Sequence, residues 1–231
     1  MEDGKKMNNI NVIYEDNHII VVEKPFNVPT QEDSSKDLDI FNIVKKYIKE
    51  KYNKPGEVYL GLVHRLDRPT GGIMVFARTS KAASRLSDMI RKGELHKQYL
   101  AVVHGKTKEN EKLIHYLSKD EKTHSSYIDN KNGKESILEY NTLAYDKEND
   151  VSLIEVNLIT GRHHQIRVQM SSINHPLYGD QRYGVQDKKQ LALYAYKLEF
   201  IHPVKKENMI FKYFPKDEGI WKLFKNIKEK L

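Results

Sequence analysis

Apolar residues recur along this chain in short runs of strand length separated by polar turns, and less often at helical spacing. Between Val12 and Lys24 the runs Val12-Ile13-Tyr14 and Ile19 to Val22 flank Glu15-Asp16-Asn17-His18, which predicts a β-hairpin. Pro25 and Pro29 then break regular structure. From Asp39 to Tyr52, Ile40, Ile43, Val44, Tyr47 and Ile48 recur at helical spacing with lysines between them, an amphipathic helix that Asn53-Lys54-Pro55-Gly56 ends. Apolar runs at Val58 to Val63 and Ile73 to Ala77 enclose a Pro- and Gly-containing turn. Thr79 or Ser80 can cap a helix that runs to about Lys92. Leu95 to Val103 reads as a strand, and 105–135 as a polar, peripheral excursion with at least one hairpin.

Two more strands, Ile137 to Ala144 and Val151 to Leu158, join through an acidic turn. Residues 163–174 read as a helix, with Ile166, Met170 and Ile173 on one face. Leu191 to Ile201 and Met209 to Tyr213 are strands, and Ile220 to Leu231 reads as a terminal helix. Strands outnumber helices without alternating with them, so the fold class is mixed α+β. Residues 1–11 read as a flexible tail and 12–231 as the folded domain.

Composition narrows the function. At 231 residues the chain can bury a sizeable core as one domain or one with two lobes. The absence of cysteine excludes a disulfide framework, a thiolate zinc site and a cysteine nucleophile. Met1 to Asp16 has no apolar stretch of signal-peptide length, and no run approaches a membrane span, so the expected location is the cytoplasm. A formal net charge of +7 fits a polyanionic partner, although a lysine-rich solvated stretch such as Lys222 to Lys230 supplies part of the excess.

Three clusters can carry chemistry. His64-Arg65-Leu66-Asp67-Arg68-Pro69-Thr70-Gly71-Gly72 sets one carboxylate between two arginines, which favour its ionised form. Lys97-Gln98-Tyr99 opens a strand, and Thr160-Gly161-Arg162-His163-His164-Gln165-Ile166-Arg167 precedes and enters a helix. Taken singly, each has an ordinary reading: an ion pair, a strand tyrosine, surface cations, a capping histidine. His163 and His164 are adjacent and diverge by about 100° on a helix, and no zinc-protease motif is present, so no metal is expected. Nucleophile-elbow, phosphate-loop and dinucleotide-binding patterns are also lacking.

Together and in this order the clusters resemble the RluA-type pseudouridine synthase family. The likeness runs from about Val12 to Phe214. It rests on Tyr14 to Pro25, His64 to Asp67 with Thr70 and Gly72, Lys97 to Tyr99, Thr160 to Val168 with His175 to Asp180, and Leu191 to Ala195 with His202-Pro203. Gly71 stands where the family most often has Ser, and His163 occupies a variable position. Only a short tail precedes the first motif, so the form expected is the one lacking the family's N-terminal S4 RNA-binding domain.

The resemblance implies a largely antiparallel central sheet with a basic cleft, an isomerase converting uridine in ribosomal or transfer RNA to pseudouridine, no cofactor and no metal. It implies Asp67 as the essential carboxylate, acting as nucleophile at the ribose C1′ or as base on the sugar. Arg167 is then its ion-pair partner, with Arg162 as second choice. Tyr99 stacks on the uracil and helps remove the C5 proton, and Ile166 packs on the other face of the base. Arg65 fills the space the flipped uridine leaves. His64, Gln165 and Arg162 complete the expected substrate-binding set. Residues 105–135 and the helix 80–92, with Lys81, Arg85, Arg91 and Lys92, are candidate phosphate surfaces.

The expected substrate is a stem-loop and the expected state a monomer. One rival reading is a non-catalytic RNA-binding or chaperone protein of the same fold. Another is a glycosyl hydrolase, which ordinarily needs two carboxylates where these motifs offer one.

Overall fold

The computed structural model describes residues 10–33, 35–229 and 231. Of the expected tail, residues 1–9 lie outside the described residues. In chain order the elements begin with strands β1 (Val12–Glu15) and β2 (Ile19–Lys24), helix α1 (Ile40–Lys51), strands β3 (Gly61–Leu62) and β4 (Gly71–Ala77) and helix α2 (Ser80–Lys92). Strands β5 (His96–His104), β6 (Asn110–Asp120), β7 (Ser125–Ile128), β8 (Lys134–Asp146) and β9 (Val151–Leu158) follow. Helix α3 (Gln165–Ser172), strands β10 (Leu193–Ile201) and β11 (Asn208–Lys212) and a 3₁₀ segment, Gly219–Glu229, complete the α+β fold. The chain divides into two compact units, one of residues up to Leu95 with Lys197–Tyr213, the other of His96–Tyr196 with Phe214–Leu231.

In the first unit β2 pairs antiparallel with β1 on one side and β4 on the other, β3 adds to β4, and β10 pairs with β11. All seven residues of β4 are buried, because helices cover both faces of this layer. One face of β2 and β4, with Ile19, Val21, Ile73, Val75 and Ala77, packs with Ala82, Leu86 and Met89 of α2. The other face meets α1 through the tilted ring contact of Phe41 and Phe76. Thr79, not Ser80, caps α2, its hydroxyl accepting from the Ala82 N–H. Gly93 ends α2 at φ +74°, a conformation glycine adopts without strain. Asp39 caps α1 in the same way as Thr79, accepting from Asn42 N–H.

The second unit runs β5-β9-β8-β6-β7, every pair antiparallel. Residues 105–135 contain the expected hairpin, β6 with β7, but as strands of this sheet rather than as an excursion from it. Their polarity follows from position: β6 and β7 lie at the sheet's end in this order, and of β6 only Leu113 and Leu117 are buried. Helix α3 is buried at every position from Gln165 to Met170, polar residues included, so a single apolar face does not describe it. It starts only at Gln165, because His164 is held at φ +53°.

The expected terminal helix is instead a 3₁₀ segment broken at Phe224. Its buried residues, Trp221, Phe224 and Ile227, recur every three positions, the 3₁₀ period. Gly179 sits at φ +72°, and a Cβ there would lie 2.1 Å from the Gln190 carbonyl oxygen. Substituting Gly179→Ala is expected to cost about 2–4 kcal/mol in urea unfolding, from left-handed strain and a backbone clash. A loss within about 0.5 kcal/mol, typical of an exposed site, would contradict this packing.

Candidate functional site

In the first unit the loop from Val63 to Thr70, between β3 and β4, carries Asp67. Four contacts fix its path. The Thr30 hydroxyl donates to the Leu66 carbonyl at 2.7 Å and accepts from the Leu66 N–H at 3.2 Å. The His64 Nε2 accepts from the Val75 N–H of β4 at 3.1 Å. The Thr70 N–H donates to the Asp67 carbonyl at 3.0 Å and closes a tight turn over the acid. The fourth contact is Lys24, at the end of β2, which is wholly buried. Its ammonium donates to the carbonyls of Val28 at 2.6 Å, Pro25 at 3.0 Å and Arg68 at 3.1 Å.

Charge follows the same geometry. Burial lowers the Lys24 pKa from the ordinary 10.5 to about 7; the Asp67 carboxylate opposes that fall and Arg68 adds to it. Asp67 is half-buried, whereas Arg65 and Arg68 are exposed. The Arg68 guanidinium turns to the 33–37 segment, where it bonds Asp37 and the Ser35 hydroxyl and lies 3.6 Å from Asp33. Of the two arginines that flank Asp67 in sequence, one thus serves a neighbouring turn. Lys24, which the sequence reading passed over, is the buried cation that senses the acid. Its signal was a lysine ending a largely apolar strand, just before a proline.

In the second unit Tyr99 lies on β5, 5 % exposed, across from Val156 of β9. The pairings Tyr99–Val156, Val156–Tyr140 and Ser136–His115 set these side chains on one face of the sheet. Helix α3 covers that face, because the Gln169 amide donates to the Ser136 and Leu113 carbonyls and meets His115 Nδ1 at 3.1 Å. Ile166 is buried on α3. Arg167 beside it grips Asp180 with a bidentate fork, Nε and Nη2 each at 2.8 Å. Burial pushes the Asp180 carboxyl up, but the guanidinium and the Arg182 and Tyr183 N–H groups outweigh it and hold it below the usual range. The Arg167 guanidinium also stacks 5.1 Å from the Tyr183 ring centre.

The turn before α3 is keyed by Gln165. Its oxygen accepts from the Thr160 hydroxyl and the Arg162 N–H, and its nitrogen donates to the Ile137 carbonyl. The amide is therefore engaged at both ends, its oxygen within the turn and its nitrogen on β8. Arg162 is exposed and donates from Nε to the Glu135 carbonyl. The His163 and His164 rings stack 3.7 Å apart, and each Nδ1 bonds a hydroxyl, Ser126 and Tyr183 respectively. Desolvation, then the charge of Arg167, holds His164 well below the usual imidazole range. His64, Arg65 and Asp67 thus belong to the first unit, and Tyr99, Arg162, Gln165, Ile166 and Arg167 to the second.

Comparison with known proteins agrees with these motifs. Residues 18–172 match the family model for RNA pseudouridylate synthase. An uncharacterized RNA pseudouridine synthase of Aquifex aeolicus is 35% identical over 217 residues, 87% of this chain and 68% of that protein. Ribosomal large subunit pseudouridine synthase C of Buchnera aphidicola is 32% identical over 213 residues, 86% of this chain and 65% of that one. The chain thus spans about two thirds of the length of these relatives. The solved structure of human RNA pseudouridylate synthase domain containing 1 superposes with a TM-score of 0.74 at 23% identity, over 99% of this chain and 98% of that one, a likeness of fold.

The Lys24 geometry yields a signed prediction. Replacing Lys24→Met leaves three carbonyls without their donor and is expected to cost about 2–4 kcal/mol near neutral pH. Above about pH 7 the folded lysine loses a proton that the unfolded chain keeps to 10.5. Unfolding then takes up a proton, so the stability lead of the native protein over Lys24→Met grows as pH rises through that window. Urea unfolding of both proteins at a series of pH values measures the lead. A gap that is flat or shrinks with pH would contradict the lowered Lys24 pKa.

Proposed function

The chain belongs to the RNA pseudouridylate synthase family and is an RNA pseudouridine synthase, and on that premise we propose that Asp67 is its single catalytic carboxylate and ribosomal RNA its substrate. The observation that carries the assignment is the Asp67 loop, fixed by Lys24, Thr30 and His64, with the acid half-buried. The reaction breaks the C1′–N1 bond, turns the uracil and joins C5 to C1′. N1 gains a proton and C5 loses one, so the product is an isomer and no atom or electron is left over. Asp67 acts on the ribose, by attack at C1′ or by taking a proton from the sugar, and either step needs the ionised acid.

The other roles follow the same reading. Tyr99 stacks on the uracil, and its phenol assists loss of the C5 proton. Ile166 packs on the opposite face of the base. Arg167, oriented by its fork to Asp180, is the cation that the family likeness assigns to the reaction. The uridine must leave its stack, at a cost of a few kcal/mol. Arg65, exposed and always charged, occupies the vacated space. His64 holds the loop, and Gln165 and Arg162 shape the turn that faces the RNA. Ribosomal RNA is preferred over transfer RNA because relatives bear ribosomal large subunit names. A stem-loop substrate, a monomeric enzyme and a cytoplasmic location belong to the same proposal.

The test separates catalysis from binding. Asp67→Asn is expected to bind ribosomal RNA within about threefold of the native protein while turnover, read as tritium release from 5-tritiated uridine, falls by about 10³-fold or more. Tight binding with no turnover by the native protein would favour the non-catalytic rival. Free uracil as product would favour a hydrolase.

A further inference from the structure

Lys97 is a cation that neither the fold nor the roles above employ. It stands two residues before Tyr99 on β5, on the same face of the strand and about 6.7 Å along it. It is only partly exposed, and burial lowers its pKa with no carboxylate to oppose the fall. Among the described residues no carbonyl, hydroxyl or acid pairs with its ammonium. Other cations withdrawn from solvent, Lys24 and Arg167 among them, are treated differently. Lys24 meets three carbonyls and Arg167 meets a bidentate carboxylate. A desolvated ammonium without an acceptor is costly unless a ligand supplies one.

The surroundings indicate what that ligand is. The ammonium lies against the turn before α3: a Cβ on Gly161 would be 3.9 Å from Lys97 Nζ. Gly161 is exposed, and its N–H takes no part in the hydrogen bonds that close this turn. Arg162 spends only Nε, on the Glu135 carbonyl, and keeps its two terminal nitrogens. Donors of positive or partial positive charge thus gather at one turn with no acid among them.

We propose that Lys97, the Gly161 N–H and Arg162 together bind one backbone phosphate of the RNA, adjacent to the nucleotide whose base Tyr99 stacks on. The proposal rests on the reading of the chain as an RNA pseudouridine synthase. It adds a phosphate site to a turn that the family likeness marks only as a motif.

The experiment compares native protein, Lys97→Met and Lys97→Arg on transcribed ribosomal RNA, and measures binding to a fluorescein-labelled oligouridylate across a salt series. Lys97→Met is expected to raise KM roughly 10- to 100-fold, the span of one charged hydrogen bond, with kcat within about threefold. Its log Kd against log salt slope for the oligouridylate should fall by about 0.7, one phosphate contact on a single strand. Lys97→Arg should restore both. The thermal midpoint of Lys97→Met without RNA should equal or exceed that of the native protein, since an uncompensated charge is removed. An unchanged KM and salt slope, a fall in kcat at constant KM, or a lowered midpoint with native binding would each overturn the proposal. Absence of turnover by the native protein would overturn the enzymatic reading instead, and the salt slope would still report on the phosphate site.

Discussion

Three backbone carbonyls, of Pro25, Val28 and Arg68, converge on the buried ammonium of Lys24, and the course of the Asp67 loop depends on that convergence. The loop from Val63 to Thr70 has no ladder to hold it. One saturated cation closes it against the end of a central strand whose own backbone is already paired. The loop is then fixed by hydrogen bonds worth more in a buried setting than at the surface. The same ammonium places a positive charge in the field of the carboxylate it helps to position. Structure and electrostatics thus come from one side chain.

The second unit solves a parallel problem with the opposite pairing. There Arg167 lies on a helix buried from Gln165 to Met170, and Asp180 holds it with two bonds of equal length. Asp180 is in turn held by the Arg182 and Tyr183 N–H groups, and the chain reaches it through the left-handed Gly179. The hairpin of β6 and β7 is tied to this segment by Arg182, which donates to the Thr123 and His124 carbonyls, and by the Tyr183 hydroxyl, which accepts from the Ser126 N–H. Buried charge is admitted to each unit where its acceptors are complete. Lys97 departs from that rule, and a rule otherwise kept makes the departure informative.

Much of the fold was legible from periodicity. Apolar stretches such as Ile19 to Val22 and Val151 to Leu158 became strands at the expected places, where they are largely buried. The helices after Asp39 and Thr79 were legible from cap and spacing together. What escaped were effects of tertiary context. Period three at Trp221, Phe224 and Ile227 lies too near helical spacing to separate by eye. The left-handed His164 delays a helix that its sequence would start earlier. Leu113 and Leu117 are too few to announce an eleven-residue strand. In the candidate site, Asp67, Tyr99 and Arg167 were proposed through a family likeness rather than through spacing. Lys24 was hidden because a buried lysine and a surface lysine look alike in sequence, and only the three carbonyls distinguish them.

The measurement that bears most directly on the central claim is site-resolved chemical mapping of pseudouridine in total RNA that lacks the modification, after incubation with the native protein and with Asp67→Ala. The account predicts new pseudouridines at defined positions of ribosomal RNA with the native protein and at none with the variant. The same positions appearing with both proteins would contradict the assignment of Asp67, and none with either would contradict the enzymatic reading.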